Sequence, residues 1–189
     1  QLPASGIPDD VQELLALPQN TAIGRAVSAS TTYKGPPDVL TDGRIGPEYW
    51  QTKNVAPPQW CLVDLGQATS ATRVVIHQYG PRFVMNDYQV SVSADGDDYE
   101  VVRREKEVSP VTLICSFSRR PVRFVKITSF GSVNSTYPTT FFEVEVNDGN
   151  SKPLTPDRLA WRLERGLRAL GVFGDEDDVE RVLDVLGDA

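Results

Sequence analysis

The stretch Tyr79-Gly80-Pro81-Arg82-Phe83-Val84-Met85-Asn86 gathers groups that recognise rather than react. Arg82 carries a planar fork of donors, and Asn86 offers donor and acceptor on one amide. Groups for covalent chemistry are scarce. The chain has no nucleophile elbow, no phosphate-binding Gly loop and no zinc signature. Cys61, Cys115 and His77 are too few for a zinc site of the usual kind. Glu143 and Glu145 lie two apart on one strand-like run and so share a face. A metal ligand beside an ordinary strand acid explains them more cheaply than acid–base catalysis. The run Asp175-Glu176-Asp177-Asp178 reads as acids at a helix N-terminus, because it lacks the glycine and later glutamate of a calcium loop. These residues describe a binding module and not an enzyme.

Bulk composition narrows the partner. The 189 residues suit one ordinary domain plus extra segments. Hydrophobic residues make up 40% and charged ones 24%, a core-forming composition. A net charge of −7 argues against nucleic acid, since phosphate binding needs a basic field. No apolar run reaches the roughly 20 residues that span a bilayer. Gln1 to Asp10 shows no basic and apolar leader pattern, and a chain opening on Gln reads as a fragment or a processed product. Cys61 and Cys115 both sit in strand-like runs. Two readings stand for them: buried small hydrophobes, or a disulfide between neighbouring strands.

Three regions must position these groups. Residues 1–20 are a short lead-in, in which Pro8-Asp9-Asp10 precedes Val11, Leu14, Leu15 and Leu17 as a capped helix that Pro18 ends. Residues 21–149 switch to period two. The expected strands are Ala26–Ser30, Trp60–Leu65, Thr72–His77, Tyr88–Ser93, Tyr99–Arg104, Val111–Phe117, Val122–Thr128 and Phe141–Val146. With no long helical pattern between them, they fit an all-β, two-sheet antiparallel sandwich. Ala94-Asp95-Gly96 is a hairpin turn, where Asp-Gly tolerates positive φ. Residues 150–189 are a linker and two amphipathic helices, one carrying Leu159, Leu163, Leu167 and Leu170, the other Val179, Val182, Leu183 and Leu186. Two helices of this size make no core of their own and need a surface to pack on.

Four passages, in order, resemble the discoidin family, the coagulation-factor type C domain that includes galactose-binding-like and family 32-type carbohydrate-binding modules. They are Thr41-Asp42-Gly43 with Trp50, Trp60 with Val63-Asp64-Leu65-Gly66, Tyr88 to Gly96 with Tyr99, and Arg123 to Ile127 with Phe142 to Val146. They span about 130 residues and leave the helical tail outside. The resemblance implies an eight-stranded jelly roll that binds ligands at loops clustered at one end and does no chemistry. It also implies a structural calcium, held by Asp42, main-chain carbonyls near Leu40 and Arg44, and Glu143. One position departs from the family pattern: Glu48 stands where Thr or Ser is frequent.

In galactose-binding relatives an Arg and an Asn from this part of the fold bond sugar hydroxyls, and an aromatic ring packs on the sugar's apolar face. The resemblance therefore assigns the polar roles to Arg82 and Asn86. It offers Tyr33, Tyr79, Phe83 and Tyr137 as the platform, with Asn134 in the late loop. The family's loop His has no match, because His77 ends a strand. The expected partner is a glycan of galactose type, and the expected location is extracellular or at the cell surface. The alternative is a protein-interaction or assembly module that uses the sandwich loops and self-associates or docks through residues 153–189. Lipid binding through Phe83-Val84-Met85 ranks lower, because a charge of −7 opposes an anionic membrane surface.

Overall fold

Period-two patterning becomes alternate burial in the computed structural model, which describes residues 18–107, 110–133 and 138–151. From Gln59 to Leu65 every second side chain is buried, and from Thr112 to Ser116 the same alternation holds. The strands are β1 (Pro18–Asn20), β2 (Ala26–Ala29), β3 (Trp50–Gln51), β4 (Gln59–Gln78), β5 (Met85–Ser93), β6 (Glu100–Lys106), β7 (Thr112–Ser132) and β8 (Thr140–Ser151). A 3₁₀ turn, Pro37–Thr41, starts at proline, whose fixed φ suits a first helical position.

Two of these strands are longer than their sequence signals. The expected strands Trp60–Leu65 and Thr72–His77 are the two arms of β4, and Val111–Phe117 and Val122–Thr128 fall on the two arms of β7. Both strands turn a corner together: Val63 pairs with Val125 on one arm, and Val74 with Cys115 on the other. The register shifts between Asp64 and Thr69 and again between Ala71 and Arg73, as at corners where strands pass from one layer to the next. Gly66, at φ 82°, takes the left-handed conformation there. The arms joined through Val63 and Val125 lie in a layer with β2, β5 and β6, and the arms joined through Val74 and Cys115 in a layer with β8 and β3.

The result is an antiparallel jelly-roll sandwich. Val63, Val90, Val92, Val125 and Ile127 of one layer share a single core with Val74, Ile76, Leu113, Val144 and Val146 of the other. Cys61 and Cys115 are both buried and both free, on different arms of the long strands. Of the two readings, the buried hydrophobe holds.

Residues Asn20–Asn150 form one compact unit. A second, Gln1–Gln19 with Ser151–Ala189, lies almost wholly outside the described residues, and so do the expected lead-in helix and both tail helices.

Register fixes which loops meet. Gln59 pairs with Ser129, Met85 with Ser132, Gln78 with Phe141 and His77 with Thr112. The loops after β2, β3 and β4 and the end of β7 therefore lie at one end. The Asp95-Gly96 hairpin opens at the other, with Gly96 at φ 97° as its turn demands.

A loop end for ligand and a carboxylate loop beside it

A hydrogen-bonded frame holds the loop end. The Gln51 amide donates to Lys34 O at 2.9 Å, and the Tyr33 amide donates to Gln51 O at 2.8 Å. Thr52 N donates to Thr139 O at 3.0 Å, Tyr79 N to Thr140 O at 3.0 Å, and Thr140 N to Phe83 O at 3.4 Å. Gln78 and Gln59, both buried, complete it with their side chains. Gln78 Oε1 accepts from Met85 N at 2.7 Å, and its Nε2 donates to Pro110 O at 2.8 Å. Gln59 Oε1 accepts from Ser30 Oγ and Thr31 Oγ1. Buried amides with all their groups paired make these loops rigid supports.

The frame carries an aromatic ridge. Tyr79 packs on Phe83 with ring centroids 5.4 Å apart, on Tyr49 at 4.9 Å and on Phe142 at 5.1 Å. Lys34 Nζ donates to Tyr49 Oη at 2.7 Å and lies 4.6 Å from that ring's centroid. This bond raises the ammonium pKa above its usual range. Tyr33, 72% exposed, stands next to Lys34 with its ring open to solvent. The structure thus places the expected Tyr33, Tyr79 and Phe83 around one ridge. Tyr49, Lys34 and Phe142 complete it; of these the sequence marks only Phe142, as part of the closing strand passage and not as a ligand-site residue.

Beside the ridge lies a cleft of about 160 Å³ between the loop after β3 and the end of β7. Val55, Pro57, Phe130 and Pro138 supply apolar wall, and Lys53 and Asn54 supply polar groups. Gly131 lines it, and a Cβ there would come within 3.1 Å of Asn86 Oδ1. Asn86 therefore stands at the cleft's edge, while Arg82 is exposed on the ridge loop. Asn134 and Tyr137 lie outside the described residues. Lys53, Asn54 and Phe130 escaped the sequence reading because only pairing across β3, β7 and β8 brings their segments together.

The carboxylate loop follows the 3₁₀ turn. Leu40 is buried, Asp42 is exposed, and the Arg44 amide donates to Asp42 Oδ1 at 2.8 Å. Glu143, fully buried on β8, accepts from Asn20 Nδ2 at 3.0 Å and from the Gly43 amide at 3.3 Å. Burial, then Asp42 and Glu145, push the Glu143 carboxyl up to about 9. Asp42, though exposed, is raised too, first by partial desolvation of its carboxyl, with Glu48 adding to it and Arg44 opposing it. Glu145, on the same face, meets His77 Nε2 at 2.8 Å. Among the described residues no cation pairs with Glu143 or Asp42.

Residues 25–148 match the F5/8 type C domain. The chain belongs to that family. A comparison with curated protein sequences finds no match. Solved structures share the fold at low identity. A chitosan-binding module of a chitosanase/glucanase from Paenibacillus sp. IK-5, in complex with chitotriose, is 22% identical with a TM-score of 0.63, covering 68% of this chain and 99% of that one. A fucose-binding module from Streptococcus pneumoniae is 20% identical with a TM-score of 0.59, covering 69% and 96%. The lectin domain of lectinolysin, complexed with Lewis B antigen, is 22% identical with a TM-score of 0.58, covering 68% and 95%.

The type C motifs now acquire physical roles. Asp64 of the Val-Asp-Leu-Gly passage takes a fork from Arg123, with Nε at 2.9 Å and Nη2 at 3.1 Å, and also accepts from Gly66 N at 2.8 Å. That fork ties β4 to β7 at the corner and holds the Asp64 carboxyl below its usual range. Trp50 is buried against Phe141 at 5.7 Å and donates Nε1 to Thr32 Oγ1. The calcium that the family implies meets suitable chemistry here. The carboxylates of Asp42 and Glu143, which make no ion pair among the described residues, and the main chain of Leu40 and Arg44 offer the oxygen donors a hard divalent ion takes. Among the described residues no group of three acidic, His or Cys ligands forms, so main-chain oxygens would complete the shell.

Proposed function

We propose that this type C domain is a non-catalytic glycan-binding module that works through the loop end. One observation carries the reading. An exposed Arg82 and a cleft-edge Asn86 stand beside solvent-open aromatic faces on a frame whose own polar groups are already paired. Sugars present hydroxyls around an apolar ring face, so they need donors and acceptors next to an aromatic plane. The structural neighbours that bind chitotriose, fucose or Lewis B antigen support the same class of ligand. A galactose-type glycan is the first choice, with Arg82 and Asn86 on its hydroxyls and Tyr33, Tyr79 or Phe83 on its face. Asn134 and Tyr137 are assigned to the same site. Such a module acts where glycans are displayed, outside the cell or at its surface.

Calcium is assigned a structural role in this reading. Asp42 and Glu143, with the carbonyls of Leu40 and Arg44, would hold it, pinning the loop after the 3₁₀ turn to β8. A glycan array probed with the purified chain, with calcium and again with a chelator, tests both parts. Binding lost on chelation supports sugar and ion together, and binding that survives keeps the sugar and removes the ion's role. Folded protein that binds no glycan in either condition ends the proposal.

A further inference from the structure

Exposed cations gather at the loop end of a chain whose net charge is −7. On the flanks, four arginines form ion pairs, Arg123 with Asp64, Arg104 with Asp87, Arg103 with Glu105 and Arg120 with Glu100, while Arg119 donates to Ser70 Oγ and Lys126 lies over the rings of Trp60 and Tyr99. At the loop end, Lys34, Lys53 and Arg82 are exposed, and none makes an ion pair among the described residues. The frame gathers them. Lys34 pairs with Gln51, Lys53 follows the Thr52 that bonds Thr139, and Arg82 precedes the Phe83 that bonds Thr140. Lys34 is held by a neutral phenol, Tyr49, and not by a carboxylate. One acid, Glu48, lines a depression with Lys34 but forms no ion pair with it, and its field also falls on Asp42. Three exposed cations on neighbouring loops, in a chain of net charge −7, give this end a local field that would draw in an anion.

We infer that the glycan bound at the loop end is acidic, carrying carboxylate or sulfate groups that meet Lys34, Lys53 and Arg82. This rests on the glycan-binding reading and adds its charge class. It also separates this chain from the chitosan-binding modules whose fold it shares, because chitosan's ammonium groups would meet like charge here. An anionic lipid surface would satisfy the same cations. The rigid frame and the shallow cleft favour a sugar, and Val84 and Met85, the apolar residues after Phe83, are buried rather than presented as a spike.

The test measures binding of the full chain, by calorimetry, to four sets of oligosaccharides: neutral, uronic-acid-containing, sulfated, and chitotriose. Acidic sugars should bind at least about tenfold more tightly than their neutral parents, and this advantage should shrink as sodium chloride rises from about 50 to about 300 mM. The ratio of acidic to neutral affinity should fall towards one in the K34Q/K53Q double variant. The uronic and sulfated arms identify which anion is preferred. Neutral sugars or chitotriose binding as tightly as acidic ones overturns the inference and leaves glycan binding standing. No binding to any sugar removes the glycan reading itself. Sedimentation with phosphatidylserine vesicles in place of acidic sugars overturns the inference in favour of lipid.

Discussion

Asn20 Nδ2 donates to Glu143 Oε1 at 3.0 Å across 123 residues of chain. The same Asn20 offers its Oδ1 to the amides of Ala22 and Val146, each at 3.0 Å. One buried amide thus closes the start of the domain onto its last strand and steadies the carboxylate beside Asp42. Asn20→Ala should cost about 2 kcal/mol, because a buried amide and a buried carboxyl each lose a partner. Urea denaturation would show this as a lower midpoint at unchanged slope. An unchanged midpoint would mean that water replaces the bond at no cost.

Calcium should stabilise the chain through Asp42 and Glu143. At about a hundred times its dissociation constant the ion adds about 2.7 kcal/mol, a rise of several degrees in Tm. Thermal scans with calcium and with chelator would measure it, and Glu143→Gln should abolish the difference. A calcium response that survives in Glu143→Gln places the ion elsewhere.

Arg82→Ala should remove glycan binding and leave Tm within about 1 °C of wild type, since exposed side chains outside the core change stability little. Affinity for the best glycan on the array and a thermal scan of the same sample decide it. Retained affinity would move the ligand off the ridge loop.

The hairpin at the opposite end should set part of the acid limb of stability. Asp95 accepts from the amides of Asp97 and Asp98 and from Ser93 Oγ, which hold its carboxyl at about 2. Its folded pKa lies below the unfolded value of 3.8, so its contribution is present above that value and is lost as pH falls towards about 2. Asp95→Asn keeps the acceptor and removes the charge. The variant should be less stable than wild type at pH 6, with the gap closing by pH 2. Parallel denaturation curves with a constant gap would count against the assignment.

The two thiols should be inert in the native state. Burial pushes Cys61 up to about 12 and Cys115 up to about 11, so little thiolate exists near pH 8 and access is closed. A thiol reagent should modify both only in denaturant. Fast modification of either without denaturant would show that its arm of the sandwich opens.

The sequence by itself determined the class of fold, because period two at Cys61, Val63 and Leu65, or at Leu113 and Cys115, permits one buried face and so a sandwich. It also marked the Asp95-Gly96 turn, whose meaning is local, whereas Asp42 and Glu143 stand out as a pair only through the family resemblance. What tertiary structure decided is continuity and company. Leu65 to Ala71 carries a glycine and polar residues that look like a loop between strands, yet pairing with β7 carries the chain round a corner as one strand. Tyr33, Lys34, Tyr49 and Phe142 have no sequence spacing in common. They share a ridge because β3 pairs with β8 and with Lys34. Lys53 and Gly131 share a cleft because β3, β7 and β8 end at the same level. Long-range pairing sets those neighbours, and a local pattern holds no record of which strand lies beside which.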